Sequence, residues 1–315
     1  MMTAGLRQNG VSMANPQLSV IVPAHNAEGT LAATLAALRT QEVSASFEVI
    51  VVDSASSDRT LQIARDLASA DPRIRVLHNP AGEPASSRNL GVAAARGTLI
   101  AFTDADCVPD RNWLETGLDA LERADLIQGR VLPAGRPGRY DRTLSVGHES
   151  GLYETANLLM HPHVFTLAGG FSPLPGFAEN RPFGEDTWFA WRARRAGART
   201  SFSAETVVHH AIFPRGPRGY ISEQRRRGHF PALVRAVPEL RRHFLYRHWF
   251  LSRRTAAFDL ALLGGALAWL SRRPHPLGAA LPYLLMAPRP AEVLADAVGA
   301  VALARASLAT RTPVL

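Results

Sequence analysis

The chain is predicted to fold as an α/β protein, a mostly parallel central sheet in an αβα sandwich with a C-terminal apolar helical region appended. Three observations predict it. Short apolar runs recur at Leu18–Val22, Phe47–Val52, Ile74–Leu77 and Thr98–Phe102. Segments of helical period lie between consecutive runs, and polar residues close several of the runs. Strands joined through helices of this length form right-handed crossovers and therefore pair in parallel. Ligands of such sheets sit beyond the carboxyl ends of the strands.

The elements follow in order. Leu18–Val22 is β-branched, ends at Pro23 and reads as a buried strand. Glu28–Gln41 carries Leu31, Leu35 and Leu38 at helical spacing, and Phe47–Val52 is a second strand ending in Asp53. Ser57 or Asp58 caps the helix Arg59–Ser69, whose Leu61, Ala64 and Leu67 mark an inner face. Ile74–Leu77, the helix Ser86–Ala95 and the strand Thr98–Phe102 complete the repeat. Asn112–Arg123 is a helix with Asp110 as its cap, Leu126–Val131 a strand, and Pro133–Arg139 breaks the periodicity. A helix is expected over Thr143–Leu159 and a strand over Val164–Ala168. Gly184-Glu185-Asp186 opens a helix to Ala196, and Thr200–Phe202 and Thr206–Val208 are short strands, the second reaching His209-His210.

Composition narrows the function classes. A chain of 315 residues, 46% hydrophobic and 20% charged, buries a full core. All 35 basic residues are Arg, and the formal charge of +8 fits nucleic acid, an anionic membrane or phosphorylated substrates. Arg225, Arg226, Arg227, Arg241, Arg242, Arg253 and Arg254 crowd one late stretch that borders apolar helices, and no nucleic-acid reading motif accompanies them. Nucleic acid is therefore not an expected partner, whereas an anionic membrane surface is. The lone Cys107 excludes an intramolecular disulfide and fits a reducing, cytoplasmic compartment.

Residues 1–16 are expected to be a disordered leader, 17–215 the main α/β domain, 216–254 an Arg-rich connection and 255–315 an apolar, membrane-associated helical region. Of the apolar segments Thr255–Leu270, Leu277–Ala287 and Ala291–Leu308, the first two fall short of the ~20 residues that cross a bilayer. Asp259, Glu292, Asp296 and Arg305 interrupt the three. A packed helical subdomain, interfacial or re-entrant helices on anionic head groups, and spanning helices all remain open.

Thr103-Asp104-Ala105-Asp106-Cys107 carries the chemistry. Two carboxylates two residues apart at a strand tip offer hard oxygen ligands to Mg²⁺ or Mn²⁺ and leave positions for phosphate oxygens. Pro23–Asn26 and Asp53 fall at neighbouring strand ends, so three polar clusters converge on one crevice.

The ordered set Pro23-Ala24-His25-Asn26-Ala27-Glu28, Val51-Val52-Asp53-Ser54, Ser87-Arg88-Asn89-Leu90-Gly91, Asp104-Ala105-Asp106 and Gly184-Glu185-Asp186 resembles family 2 glycosyltransferases, over roughly Leu18 to His210. The resemblance implies a GT-A fold and inverting transfer of a sugar from a nucleotide-sugar donor to a hydroxyl on a glycan, a lipid-linked intermediate or a natural product. It implies that Asp53 accepts a hydrogen bond from the nucleobase and that Pro23, Asn26 and Glu28 shape the donor loop. Arg88 would contact diphosphate or base. Asp106 would bind the metal directly, with Asp104 on the ribose or a metal-bound water and His209 or His210 beside the metal. Asp186 is the expected catalytic base, with Glu185 and Trp188 on the acceptor.

Gln224-Arg225-Arg226-Arg227-Gly228 partly resembles the Gln-x-x-Arg-Trp element of processive members, but Gly228 stands where they have Trp. A nucleotidyltransferase would want a Gly-rich, Lys-bearing loop that Pro23–Asn26 lacks. A non-catalytic nucleotide-sugar or polyanion-binding protein stays as the alternative. The acceptor pocket is expected within Leu132–Arg181.

Overall fold

The computed structural model describes residues 15–175 and 183–315, so all but the last two positions of the expected leader lie outside the described residues. The first half alternates strictly: β1 (Leu18–Ala24), α1 (Leu31–Arg39), β2 (Phe47–Asp53), α2 (Thr60–Ala70), β3 (Ile74–His78), α3 (Pro84–Ala94) and β4 (Leu99–Thr103). The second half is irregular: β5 (Cys107–Pro109), α4 (Trp113–Leu121), β6 (Leu126–Pro133), β7 (Asn157–Met160), α5 (Pro162–Ala168), α6 (Glu185–Arg195) and β8 (Thr200–His210). One eight-stranded sheet runs β3-β2-β1-β4-β7-β6-β8-β5. The β3-β2-β1-β4 block is parallel, and so is β6–β8, whereas β7 and β5 pair antiparallel with their neighbours.

β2 is buried along its whole length and β1 at all positions but Pro23. Such continuous apolar runs are what a strand covered on both faces requires. Leu18, Val20 and Val22 pack on one face with Leu31, Leu35 and Leu38 of α1. Ile21, Ile50 and Phe102 pack on the other with Phe189 and Ala193 of α6. The result is the expected αβα sandwich.

Three expectations are corrected. No helix forms over Thr143–Leu159: the segment is irregular, with bridges from Val146 to Val131 and from Arg142 to Phe213, and ends in β7. Gly151, at φ +81°, interrupts any helix there, and the apolar Leu158–Met160 instead fills the gap between β4 and β6. Val164–Ala168 is helical, not extended, because Pro162 starts α5 and Gly169, at φ +68°, closes it in the left-handed conformation. The two short strands expected after Thr200 are one strand, β8, whose register against β6 shifts between Gly129 and Arg130.

The remaining helices are α7 (Pro217–Glu223), a 3₁₀ segment (Gln224–His229), α8 (Phe230–Ala236), α9 (Leu240–His243), α10 (Arg253–Ser271), a second 3₁₀ segment (His275–Ala280), α11 (Leu281–Leu284) and α12 (Pro290–Thr310). α12 is long and apolar enough to cross a membrane. It lies against α7, α8 and the first 3₁₀ segment, and Leu303 and Val314 join the α6-side core. Its buried Glu292 takes Arg139 (Nη2–Oε2 2.9 Å), and its buried Asp296 takes Arg254 (2.8 Å) and the Tyr283 hydroxyl (2.8 Å). These pairs tie α12 to the rest of the protein. Large apolar side chains remain exposed nonetheless: Trp269 of α10 at 80%, Leu285 just after α11 at 75% and Leu308 of α12 at 81%.

Candidate active site

The carboxyl ends of β1, β2 and β4 open onto a cleft of about 580 Å³ whose lining includes Pro23, Asn26, Arg88, Asp104, Asp106 and Arg142. The parallel register that pairs Ala24 with Asp53 brings the first two clusters together, and β1–β4 pairing brings the third.

Asp53 is fully buried. The β2–β3 register sets His78 beside it, and Oδ2 accepts from His78 Nδ1 at 2.9 Å, while Oδ1 has no partner. A buried carboxylate oxygen left unpaired among the described residues is costly. Asn26, at φ +48°, accepts from the Ser57 amide at 2.9 Å and fixes the loop that forms the cleft wall. Glu28 is bonded to the start of α2: its Oε2 accepts from the Arg59 amide at 3.2 Å.

Asp104 and Asp106 leave β4 at the cleft. Burial pushes the Asp104 carboxyl up to about 6, Arg88 opposing and the charge of Asp106 adding to it. Side chains alternate across a strand, so the adjacent histidines of β8 part. His210 Nε2 lies 3.5 Å from Asp106 Oδ2. His209 instead meets Asp110 at 3.0 Å and stands apart from the carboxylate pair. Asp110 is thereby used by His209, and its side chain does not cap α4.

For a divalent ion the donors fit. Two ligands at right angles, each ~2.1 Å from an ion, are about 3 Å apart, and Asp106 and His210 need close by only a few tenths of an ångström. Among the described residues no three such side chains form a ready-made cage. An ion there would thus take Asp106 and His210 as its protein ligands and draw the rest of its shell from phosphate oxygens and water.

Arg88 is buried and donates to Glu185 at 3.0 Å. Burial disfavours its charge, but Glu185, Asp104 and Asp186 more than offset this and hold its pKa above the ordinary value. It therefore couples the β4 carboxylates to the start of α6. Glu185 is engaged there rather than free for an acceptor. Asp186 follows Gly184, whose φ of +71° makes the turn into α6, and accepts from the Thr187 amide at 2.8 Å. Burial pushes its carboxyl up to about 8, with the Glu185 charge adding, Arg88 opposing and Glu154 adding further. Trp188 lies under the guanidinium groups of Arg192 (5.3 Å) and Arg195 (5.7 Å) and packs on the core, so it is not brought to the cleft.

Two residues that bear on this arrangement, Glu154 beside Asp186 and Arg142 in the cleft lining, had no local sequence signal. Glu154 is a buried carboxylate whose Oε2 has no partner. Burial raises its pKa, and it acts on Asp186 from the segment before β7. Arg142 lines the cleft from the irregular stretch after β6. Of the expected acceptor stretch, residues 176–181 lie outside the described residues.

A mixed αβα sheet with paired acids at the end of β4 and an acid at the start of α6 defines a glycosyltransferase of the GT-A class. The sequence model of the family described as Glycosyl transferase family 2 matches residues 19–200. The chain belongs to that family and is a glycosyltransferase. It is 29% identical over 215 residues to the glycosyltransferase AglE of Haloferax volcanii, covering 64% of this chain and 69% of AglE. It is 28% identical over 207 residues to the pre-mycofactocin glycosyltransferase of Mycobacterium tuberculosis, covering 61% of this chain but only 42% of that one. In fold it is similar to the mannosyltransferase PcManGT of Pyrobaculum calidifontis, solved with GDP-Man and Mn²⁺. The TM-score is 0.54 at 22% identity, over 95% of this chain and 84% of that one. It is also similar to TarS of S. aureus, with a TM-score of 0.52 at 19% identity, over 90% of this chain and 55% of TarS.

Proposed function

We propose that this glycosyltransferase works with inversion, from a nucleoside-diphosphate sugar to a hydroxyl of a glycan, a lipid-linked intermediate or a natural product, and depends on Mg²⁺ or Mn²⁺. The observation that carries the reading is the arrangement about Arg88, with Asp104 on the strand-end side and Asp186 on the helix side, both of them under its charge. Inversion needs a carboxylate to receive the acceptor's proton on the face opposite the leaving diphosphate. Asp186, with its raised affinity for a proton, has that role. Asp53 Oδ1 takes a nucleobase N–H, and Asn26 and Pro23 shape the loop beside it. A bound divalent ion would act as a Lewis acid on the diphosphate, held by Asp106 and His210.

We place the protein on the cytoplasmic face of a membrane. The exposed Trp269 and Leu270 on α10 and Leu285 just after α11, with the exposed Arg272 and Arg273 between the helices, suit an anionic lipid surface. Thermal unfolding against UDP, GDP and dTDP, with and without Mn²⁺, tests the site. The reading expects one diphosphate to raise Tm only with the metal, an effect lost in Asp106→Asn. No rise with any of them, at concentrations up to millimolar, would count against it.

A further inference from the structure

A nucleoside diphosphate leaving a sugar gathers negative charge on its β-phosphate, and a cationic side chain of fixed charge stabilises that charge best when it forks onto two oxygens. Arg88 and Arg142 are the arginines of the cleft lining. Arg88 is committed: it is buried, bonded to Glu185, and balanced by Asp104 and Asp186. The Gln224-Arg225-Arg226-Arg227 run sits in the first 3₁₀ segment against α12, with Arg227 3.5 Å from Asp296, and contributes nothing to the cleft lining.

Arg142 is in the opposite condition. Its side chain is exposed, and among the described residues it has no carboxylate partner within salt-bridge distance. Yet it is firmly placed. Its amide donates to the Phe213 carbonyl at 3.0 Å, the Phe213 amide donates back at 2.9 Å, and its guanidinium lies 5.0 Å over the Phe213 ring. Phe213 meets His210 edge-on at 6.1 Å, and the next residue, Thr143, puts Oγ1 3.3 Å from His210 Nδ1. Arg142 thus hangs on the frame that holds His210 beside Asp106, and brings to the lining of the same cleft a guanidinium that rests on Phe213 and has no carboxylate partner among the described residues.

We infer that Arg142 is the diphosphate-binding cation of this enzyme. The inference rests on the donor-site reading given under Proposed function. In the transfer, the bond between the sugar's anomeric carbon and the β-phosphate oxygen breaks, and its electron pair stays on that oxygen. The acceptor oxygen bonds to the same carbon from the other face, and its proton passes to Asp186. Arg142 hydrogen-bonds the β-phosphate oxygens as their charge grows.

The test is calorimetric titration of the full chain, in Mn²⁺, with UDP, GDP and dTDP and with the matching monophosphates. Arg142→Ala is expected to weaken the diphosphate roughly tenfold or more and to leave the monophosphate within about twofold, with a shallower dependence on salt. Arg142→Lys should recover part of the loss, and Arg226→Ala should change nothing. Equal loss for mono- and diphosphate would show that Arg142 only shapes the loop, and no loss, or the same loss in Arg226→Ala, would also overturn the assignment. A wild-type protein that binds no nucleotide would instead overturn the donor-site reading, and this inference with it.

Discussion

The cleft and the C-terminal helices break the ordinary rules of burial in opposite senses. Among the described residues, buried polar atoms without a hydrogen-bond partner include Arg88 Nε in the cleft lining, Asp53 Oδ1 at the end of β2 and Glu154 Oε2 before β7. On the C-terminal helices large apolar groups stand in water: Trp269 of α10, Leu285 just after α11 and Leu308 of α12 above all. An orphaned polar atom and an exposed apolar patch are both costs to the isolated chain. α12 shows the contrast within one region, because the face carrying Glu292 and Asp296 is buried in ion pairs while Leu294 and Val301 are exposed.

The sharpest way to break this comparison is at the cleft. Asp186→Asn should lower transfer about a thousandfold, the scale of a lost general base, with nucleotide affinity nearly unchanged by calorimetry. Its carboxyl is raised from 3.8 to about 8, so kcat/KM of the wild type should climb with pH and be half-maximal near 8. The stability sign is opposite. The folded state prefers the protonated acid, so that contribution is complete below about pH 4 and lost as pH rises through about 8. Asp186→Asn should therefore gain Tm over the wild type at pH 9 and not at pH 4. Asp106→Asn is next, with a loss of roughly a hundredfold in transfer, as expected for a removed anionic metal ligand, and no Mn²⁺-dependent Tm rise.

On the other side of the comparison the effects should fall on stability and location. Asp296→Ala strands Arg254 and the Tyr283 hydroxyl and should cost about 3 kcal/mol in urea unfolding, with nucleotide binding retained. The paired change Trp269→Glu with Leu285→Glu touches exposed positions only. It should keep Tm within a degree or two and reduce binding to vesicles of anionic lipid about tenfold. Unchanged vesicle binding would remove the membrane from the comparison. Deletion beyond Arg254 is a poorer probe, since it would take Leu303 and Val314 out of the core.

The parallel half was legible because each step is local: an apolar run, a helical stripe, a polar strand end. Asp53, Asp104 and Asp106 could be placed from such runs, and Asp186 from the Gly that opens its helix. The errors cluster between Pro133 and Gly170. There the strand β7 forms because β4 and β6 offer it two unpaired edges, a fact held by residues far away in sequence. Arg142, Glu154 and His78 were missed for the same reason, since each matters only through a neighbour from another element: Phe213, Asp186 and Asp53 respectively. Glu28 bonds the start of α2 and Trp188 lies under Arg192 and Arg195, because a motif position fixes the backbone's course and not which way a side chain turns.

By itself the sequence determined the class of fold, the strand ends that meet at the cleft, the carboxylates there, and the apolar character of the C-terminal helices. Period and strand-end chemistry are properties of short stretches, and short stretches suffice to encode them. Only the tertiary structure decided that His210 rather than His209 stands beside Asp106, that Arg88 pairs with a carboxylate while Arg142 lies over Phe213 with no carboxylate partner among the described residues, and that α12 is tied down by Arg139 and Arg254. Each of these is a choice among partners. Partners are chosen by long-range packing and by the need to neutralise charge once water is excluded, which no local pattern records.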